Sequence, residues 1–225
     1  MKLTAHFVLL FALLASCPAQ VVDRMVAVVN KQVILQSELE EAEHIELLLQ
    51  GKPLDQLTTD GMAIALERFI DRALLQQQIV DASLVEPSAD DISNRIHELR
   101  SQVSGAAEEQ KWRDILTAYA VTEQDLQMHI ASQLRILKFI DLRFRTVARV
   151  DRATISNYYN QTLLPQLRKQ GAPEPPLTQV SDKIQEILTE QRMNELLDSW
   201  LQALRAQAQI EKMSPGSQLA AGAKP

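Results

Sequence analysis

The sequence predicts a mostly α protein of six or seven helices, closed by a small two-stranded pairing of its own chain ends. Three observations lead there. Apolar residues recur at helical spacing through most of the chain. Gly is scarce, at 6 of 225 residues, and aromatic residues make up only 4%, which favours helices packed through Leu, Ile and Ala over a sandwich or barrel. Two short segments near opposite ends, 22–29 and 208–213, can be extended, and a strand needs a partner.

Each element has a local reason. "VDRMVAVVN" alternates and is rich in β-branched residues, so it reads as a strand. "NK" then turns the chain, and "VIL" can fold back or continue. Ser37 with Glu40 matches a capping box, which places a helix from Glu38 to about Gln50 before Gly51 and Pro53. Met62, Leu66, Phe69, Ile70, Ala73 and Leu74 mark a helix from near Thr59 to about Ala82. Pro87 and Ser88 stop and restart the chain for a helix carrying Ile92, Ile96, Leu99 and Val103. A shorter helix holds Trp112, Ile115, Leu116 and Tyr119.

Thr122, with Asp125 three residues on, caps a long helix reaching about Val147. Asp151 restarts a helix that fades between Pro165 and Gly171. "APEPPLTQ" reads as a short stiff connector. The longest amphipathic run follows, with Val180, Ile184, Ile187, Leu188, Leu196, Leu197, Trp200, Leu201 and Leu204 on one stripe. Residues 214–225 have the composition of a disordered tail.

Residues 1–19 read as an export signal: Lys2 is the charged start, Phe7 to Leu14 the apolar stretch, and small residues follow. The mature chain is therefore expected outside the cytoplasm. Cleavage after Ala19 leaves Gln20 first, removes the only cysteine and takes the formal charge from −6 to −7. In the alternative, "LASC" is a lipobox and Cys17 carries a lipid anchor. An acidic exported chain is a poor candidate for nucleic acid. With no disulfide, stability must come from burial in about 200 residues.

"VVDRMVAVVNKQVILQSEL", "ALERFIDRALLQQQ" and "VEPSADDISNRI" resemble the chaperone module of SurA-type periplasmic chaperones. "PPLTQVSDKIQEILTEQRMNELLDSWLQALRAQAQIE" is similar to that family's closing helix and strand. The likeness covers nearly all of 21–213. It implies a helical chaperone module over 20–172 and a C-terminal helix and strand over 173–213 that pack back on it. Family members often carry parvulin-type prolyl isomerase domains of roughly 90 residues, but here only about 15 residues separate Tyr159 from Pro175. The resemblance thus implies ATP-independent holding of unfolded outer-membrane or exported polypeptides, without isomerase activity.

The residues themselves carry little chemistry. His6, His44, His97 and His129 do not sit at metal-ligand spacing with one another. No Ser stands in a G-x-S-x-G elbow, and there is no Gly-rich phosphate loop, so no enzyme activity, metal or cofactor is expected and release of a client must be passive. The pairs Glu40/Glu41, Asp90/Asp91 and Glu108/Glu109 read as helix starts that complement the dipole. Arg135, Lys138, Arg143, Arg145, Arg149 and Arg152 form a basic cluster: a solvated face, or a contact for acidic clients or anionic lipid head groups.

The helix after Thr122 is apolar on more than one side. Leu126, Met128, Ile130, Phe139 and Phe144 are the candidate peptide-binding residues, because Met adapts and Phe supplies area. The expected partners are unfolded polypeptides, with peripheral contact to the membrane or the outer-membrane assembly machinery as a further option. A monomer and a dimer with swapped C-terminal helices both fit. The rival readings are an assembly subunit for one specific partner and a degenerate isomerase.

Overall fold

The computed structural model describes residues 23–103 and 105–213. Residues 1–19, expected to be an export signal and including Cys17, and residues 214–225, expected to be a disordered tail, lie outside the described residues. The fold is mostly helical with one small antiparallel sheet.

Strand β1 (Met25–Val29) turns through Asn30 and Lys31 into β2 (Gln32–Leu35). Asn30 has φ +58°, the left-handed conformation that Asn tolerates better than most residues. On its other edge β1 pairs with β3 (Ile210–Lys212), in the register Ala27↔Lys212, Val28↔Glu211 and Val29↔Ile210. The pairing of the chain ends is present, but the expected two-stranded sheet is three-stranded, in the order β2-β1-β3. "VIL" folds back because Ile34 then joins Ala27 and Val29 in a fully buried layer.

Helix α1 (Gln36–Leu49) begins two residues earlier than Ser37–Glu40 implied. The Leu35 N–H instead donates to Glu38 Oε2 at 3.0 Å. The Ser37 hydroxyl donates to Asp23, so it is not available as a cap. Glu40 and Glu41 consequently sit beyond the first turn. Helix α2 (Thr59–Gln76) is capped by Thr58, whose hydroxyl accepts from the Gly61 N–H at 3.0 Å. It stops well short of Ala82, and a single 3₁₀ turn follows at Ala82–Leu84.

The caps at Ser88 and Thr122 form reciprocal boxes with Asp91 and Asp125, opening α3 (Ala89–Gln102) and α5 (Glu123–Phe144). Between them lies α4 (Glu109–Ala118). Asp151 caps α6 (Arg152–Tyr158). A π turn at Tyr159–Leu163 then leads into α7 (Leu164–Gln170). Pro165 has no N–H to give to the preceding turn, and the wider turn accommodates that loss. Helix runs to the far limit of the expected fade and ends at Gly171, φ +63°. The Pro-rich connector is held near its middle: the Tyr159 hydroxyl donates to the Pro175 carbonyl at 2.8 Å, and Arg168 grips the adjacent Glu174 with two bonds of 2.9 Å.

Two apolar clusters form the core. One joins Ile45 and Leu48 of α1, Ile96 and Leu99 of α3, Trp112 and Leu116 of α4, and Leu126 and Ile130 of α5. The other joins Ala27, Val29 and Ile34 of the sheet to Ile70, Ala73 and Leu74 of α2, with Leu204, Ala208 and Ile210 packed against it. Helix α8 (Leu177–Gln207) is about 46 Å long at 1.5 Å per residue and runs across α6, α5 and α2. Its apolar stripe is mostly half-buried; Ile184 and Thr189 are its fully buried positions.

Polar contacts fix its far end. Arg205 donates to Asp71 at 2.6 Å, to Glu67 Oε2 at 3.0 Å and to the Glu67 carbonyl at 3.0 Å, and Lys212 pairs with the same Glu67. Asn30 exchanges hydrogen bonds with Gln209, its N–H reaching the Gln209 carbonyl at 2.7 Å. Arg205→Ala removes three of these bonds at a partly exposed site. The expected loss is about 1 kcal/mol in urea unfolding, shrinking at high salt. An unchanged midpoint would mean that the sheet alone seats the C-terminal helix.

Candidate functional site

Helix α5 must serve two faces, which explains why it is apolar nearly all round. Leu126 and Ile130 are 0% and 1% exposed and belong to the core. Phe144 is buried, with its ring edge-on to Trp200 of α8 at 5.6 Å. Phe139 is half-buried and tilts against the same indole at 6.0 Å. Met128 is 54% exposed and lines a 250 Å³ polar cleft with Glu41, Asp125, His129 and Ser132. The five sequence-derived residues therefore do not form one groove. Three are packing residues, and Met128 and Phe139 line different clefts about 16 Å apart along the helix.

The apolar cleft lies between the end of α2, the turn at Ala82–Leu84 and the second half of α5. Its volume is 460 Å³, and its walls include Ile79, Val80, Leu84, Phe139 and Leu142, with Asp81 and Arg143 as charged members. Val80 is 99% exposed, Leu84 64% and Leu142 59%. A neighbouring cleft of 560 Å³ on the next side of α5 adds exposed Leu137, with Leu134 and Pro87. Large apolar side chains gathered on one face of a folded body are an interaction feature rather than ordinary surface scatter.

Local chemistry builds this cleft. Asp81 accepts from the Ser83 hydroxyl at 2.6 Å and the Ser83 N–H at 3.0 Å, which caps the 3₁₀ turn at Ala82–Leu84 between the exposed Val80 and Leu84. These bonds hold the Asp81 carboxyl below its usual range. Arg135 fixes the next loop, donating twice to Glu86 at 3.0 and 2.8 Å, and Lys138 reaches the Glu86 carbonyl. The basic cluster divides accordingly. Arg135 and Arg145 are ion-paired with Glu86 and Asp141. Arg143 lies over the Trp200 indole, 4.1 Å from its centroid, and 5.6 Å from the Phe144 ring.

A second polar junction positions the helix. Glu46 of α1 accepts from Gln133 at 3.0 Å and from His129 at 3.2 Å, with Arg72 of α2 at 3.4 Å. The His129 hydrogen bond holds the Glu46 carboxyl below its ordinary value, against the burial that raises it. This junction links α1, α2 and α5 inside the body. Among the described residues no group of three or more His, Cys, Asp or Glu is placed to hold a metal, and no helix is long and apolar enough to cross a membrane.

Sequence reasoning missed Val80, Leu84 and Leu142 as site residues, and Trp200 as the ring that holds Arg143. The available signal was "IVDASLVEP", where an Asp-x-Ser turn interrupts an apolar run that otherwise continues the helix. No protein-family model matches the chain, and comparison with curated proteins finds no significant relative.

Ile130→Ala should cost about 2–5 kcal/mol in urea unfolding, as a core truncation does, whereas Leu142→Ala should stay within about 0.5 kcal/mol. Equal costs would contradict the assignment of faces on α5. Glu46 gives a pH prediction. Its folded pKa is depressed, so its contribution is complete above the unfolded value of about 4.3 and is lost as pH falls through the folded value. Glu46→Gln should flatten the acid limb of stability measured below about pH 5; a limb of unchanged slope would place acid sensitivity elsewhere.

Proposed function

We propose that this protein is an ATP-independent periplasmic chaperone that binds unfolded outer-membrane or exported polypeptides without isomerising prolines. The observation that carries this reading is the open apolar cleft along α5, with Val80, Leu84 and Leu142 turned to solvent on a well-packed frame. The reading of residues 1–19 as an export signal and the SurA-type sequence resemblance over 21–213 support the same reading. An extended segment laid on this face meets side chains of moderate size and few directional groups. Such contacts accept many sequences and let go quickly, which suits a holder whose release is passive.

Arg143 is the one basic residue lining the cleft, beside Asp81, so charge there acts on association more than on residence. A subunit dedicated to one folded partner is the main rival. It would use the same cleft and the same α8 face.

The test is suppression of aggregation of an unfolded β-barrel protein. Leu84→Ser with Leu142→Ser should weaken suppression at least several-fold while far-UV circular dichroism stays constant. Full suppression by the double variant would take the cleft out of client holding. Failure of the wild-type chain to suppress aggregation, with one stoichiometric partner recovered by pull-down, would favour the rival. Turnover in a proline-peptide assay would contradict the absence of isomerase activity.

A further inference from the structure

The cleft contains a charge that apolar clients alone do not require. Arg143 is one of its walls, yet no carboxylate among the described residues pairs with it. Its α5 neighbours Arg135 and Arg145 are both neutralised by acidic side chains. Arg143 is held instead by aromatic faces: Trp200 at 4.1 Å and Phe144 at 5.6 Å. Stacking orients a guanidinium while leaving its N–H edges free, and those edges match the two oxygens of a carboxylate.

The second charge on the cleft narrows the choice. Asp81 is ionised and engaged by Ser83, and it adds a negative charge to the same wall set. A run of acidic residues would meet that repulsion several times over with one guanidinium to offset it, whereas a single carboxylate beside an apolar side chain has Arg143 to itself. A chain's last residue carries both groups on a single Cα, so it can place its α-carboxylate at Arg143 and its side chain against Phe139, Leu84 and Leu142. The 460 Å³ volume is within the range of about 300–1,000 Å³ typical of sites for small ligands.

We propose that this cleft captures the free C-terminus of a polypeptide ending in a large apolar residue, with Arg143 as the carboxylate-binding group. This rests on the client-binding reading and makes it more specific, because internal apolar segments would bind the same walls without the ionic contact. It also gives Trp200, on the last helix, a role behind the cleft: the C-terminal helix supplies the surface that aims Arg143.

The test uses the full mature chain and a fluorescein-labelled pentapeptide ending in Phe, as the free acid and as its C-terminal amide, read by anisotropy. The free acid should bind roughly tenfold tighter, the equivalent of one charge-assisted contact. Arg143→Gln should bring that ratio close to one. Equal binding of acid and amide by the wild-type chain overturns the proposal without touching client holding, which the aggregation assay reads separately. A ratio that survives in Arg143→Gln overturns it too. Loss of phosphatidylglycerol vesicle binding in that variant, alongside equal peptide binding, has the same consequence, since Arg143 would then face lipid. If neither peptide binds and aggregation is not suppressed, both readings fall.

Discussion

Pairing of Ala27–Val29 with Ile210–Lys212 closes the chain on itself, and the position of the long C-terminal helix follows from it. Helix α8 has few fully buried residues for its 31-residue length, so packing along its shaft is modest. Its ends do the anchoring. At one end the connector is held to Tyr159 and Arg168; at the other, strand β3, Asn30 and the Arg205 contacts hold it to β1 and α2. A long lever fixed at both ends can present a half-buried stripe at a constant place. Trp200 sits on that stripe, and the aromatic contacts that orient Arg143 depend on it.

Helix α5 shows how one element is used on two sides. Leu126, Ile130, Ile136 and Phe144 are buried, while Leu137 and Leu142 are turned to solvent. At about 25 cal/mol per Å² of apolar area, leaving such side chains in water forgoes a useful amount of stability. A fold tolerates this where it gains binding, and only if the exposed groups do not drive self-association. Here the exposed leucines alternate with Arg135, Lys138, Asp141, Arg143 and Arg145, which keeps the face soluble.

Inside the body, α1, α2 and α5 meet through Glu46 and its partners His129, Gln133 and Arg72. A carboxylate this sheltered is costly unless it is hydrogen-bonded, and three donors from two other helices converge on its Oε1. The arrangement ties the three helices together at one point. The apolar cleft is built on the same α5.

Much of the architecture is local chemistry and could be read in one dimension. The caps at Ser88, Thr122 and Asp151 work because each oxygen and its target N–H lie within three residues. Alternation in 25–29 marked a strand, and an extended stretch after Ala208 marked its partner, because a strand with open edges must be satisfied somewhere. Ser37 misled because its hydroxyl is claimed by Asp23, fourteen residues away, and local patterning cannot register that competition. The site was least legible. Leu126, Ile130 and Leu142 are equivalent in the sequence, all apolar on one helix. Only the packing of α1, α3, α4 and α8 around that helix decides which are covered, since burial is set by what arrives on each face and not by the residue itself.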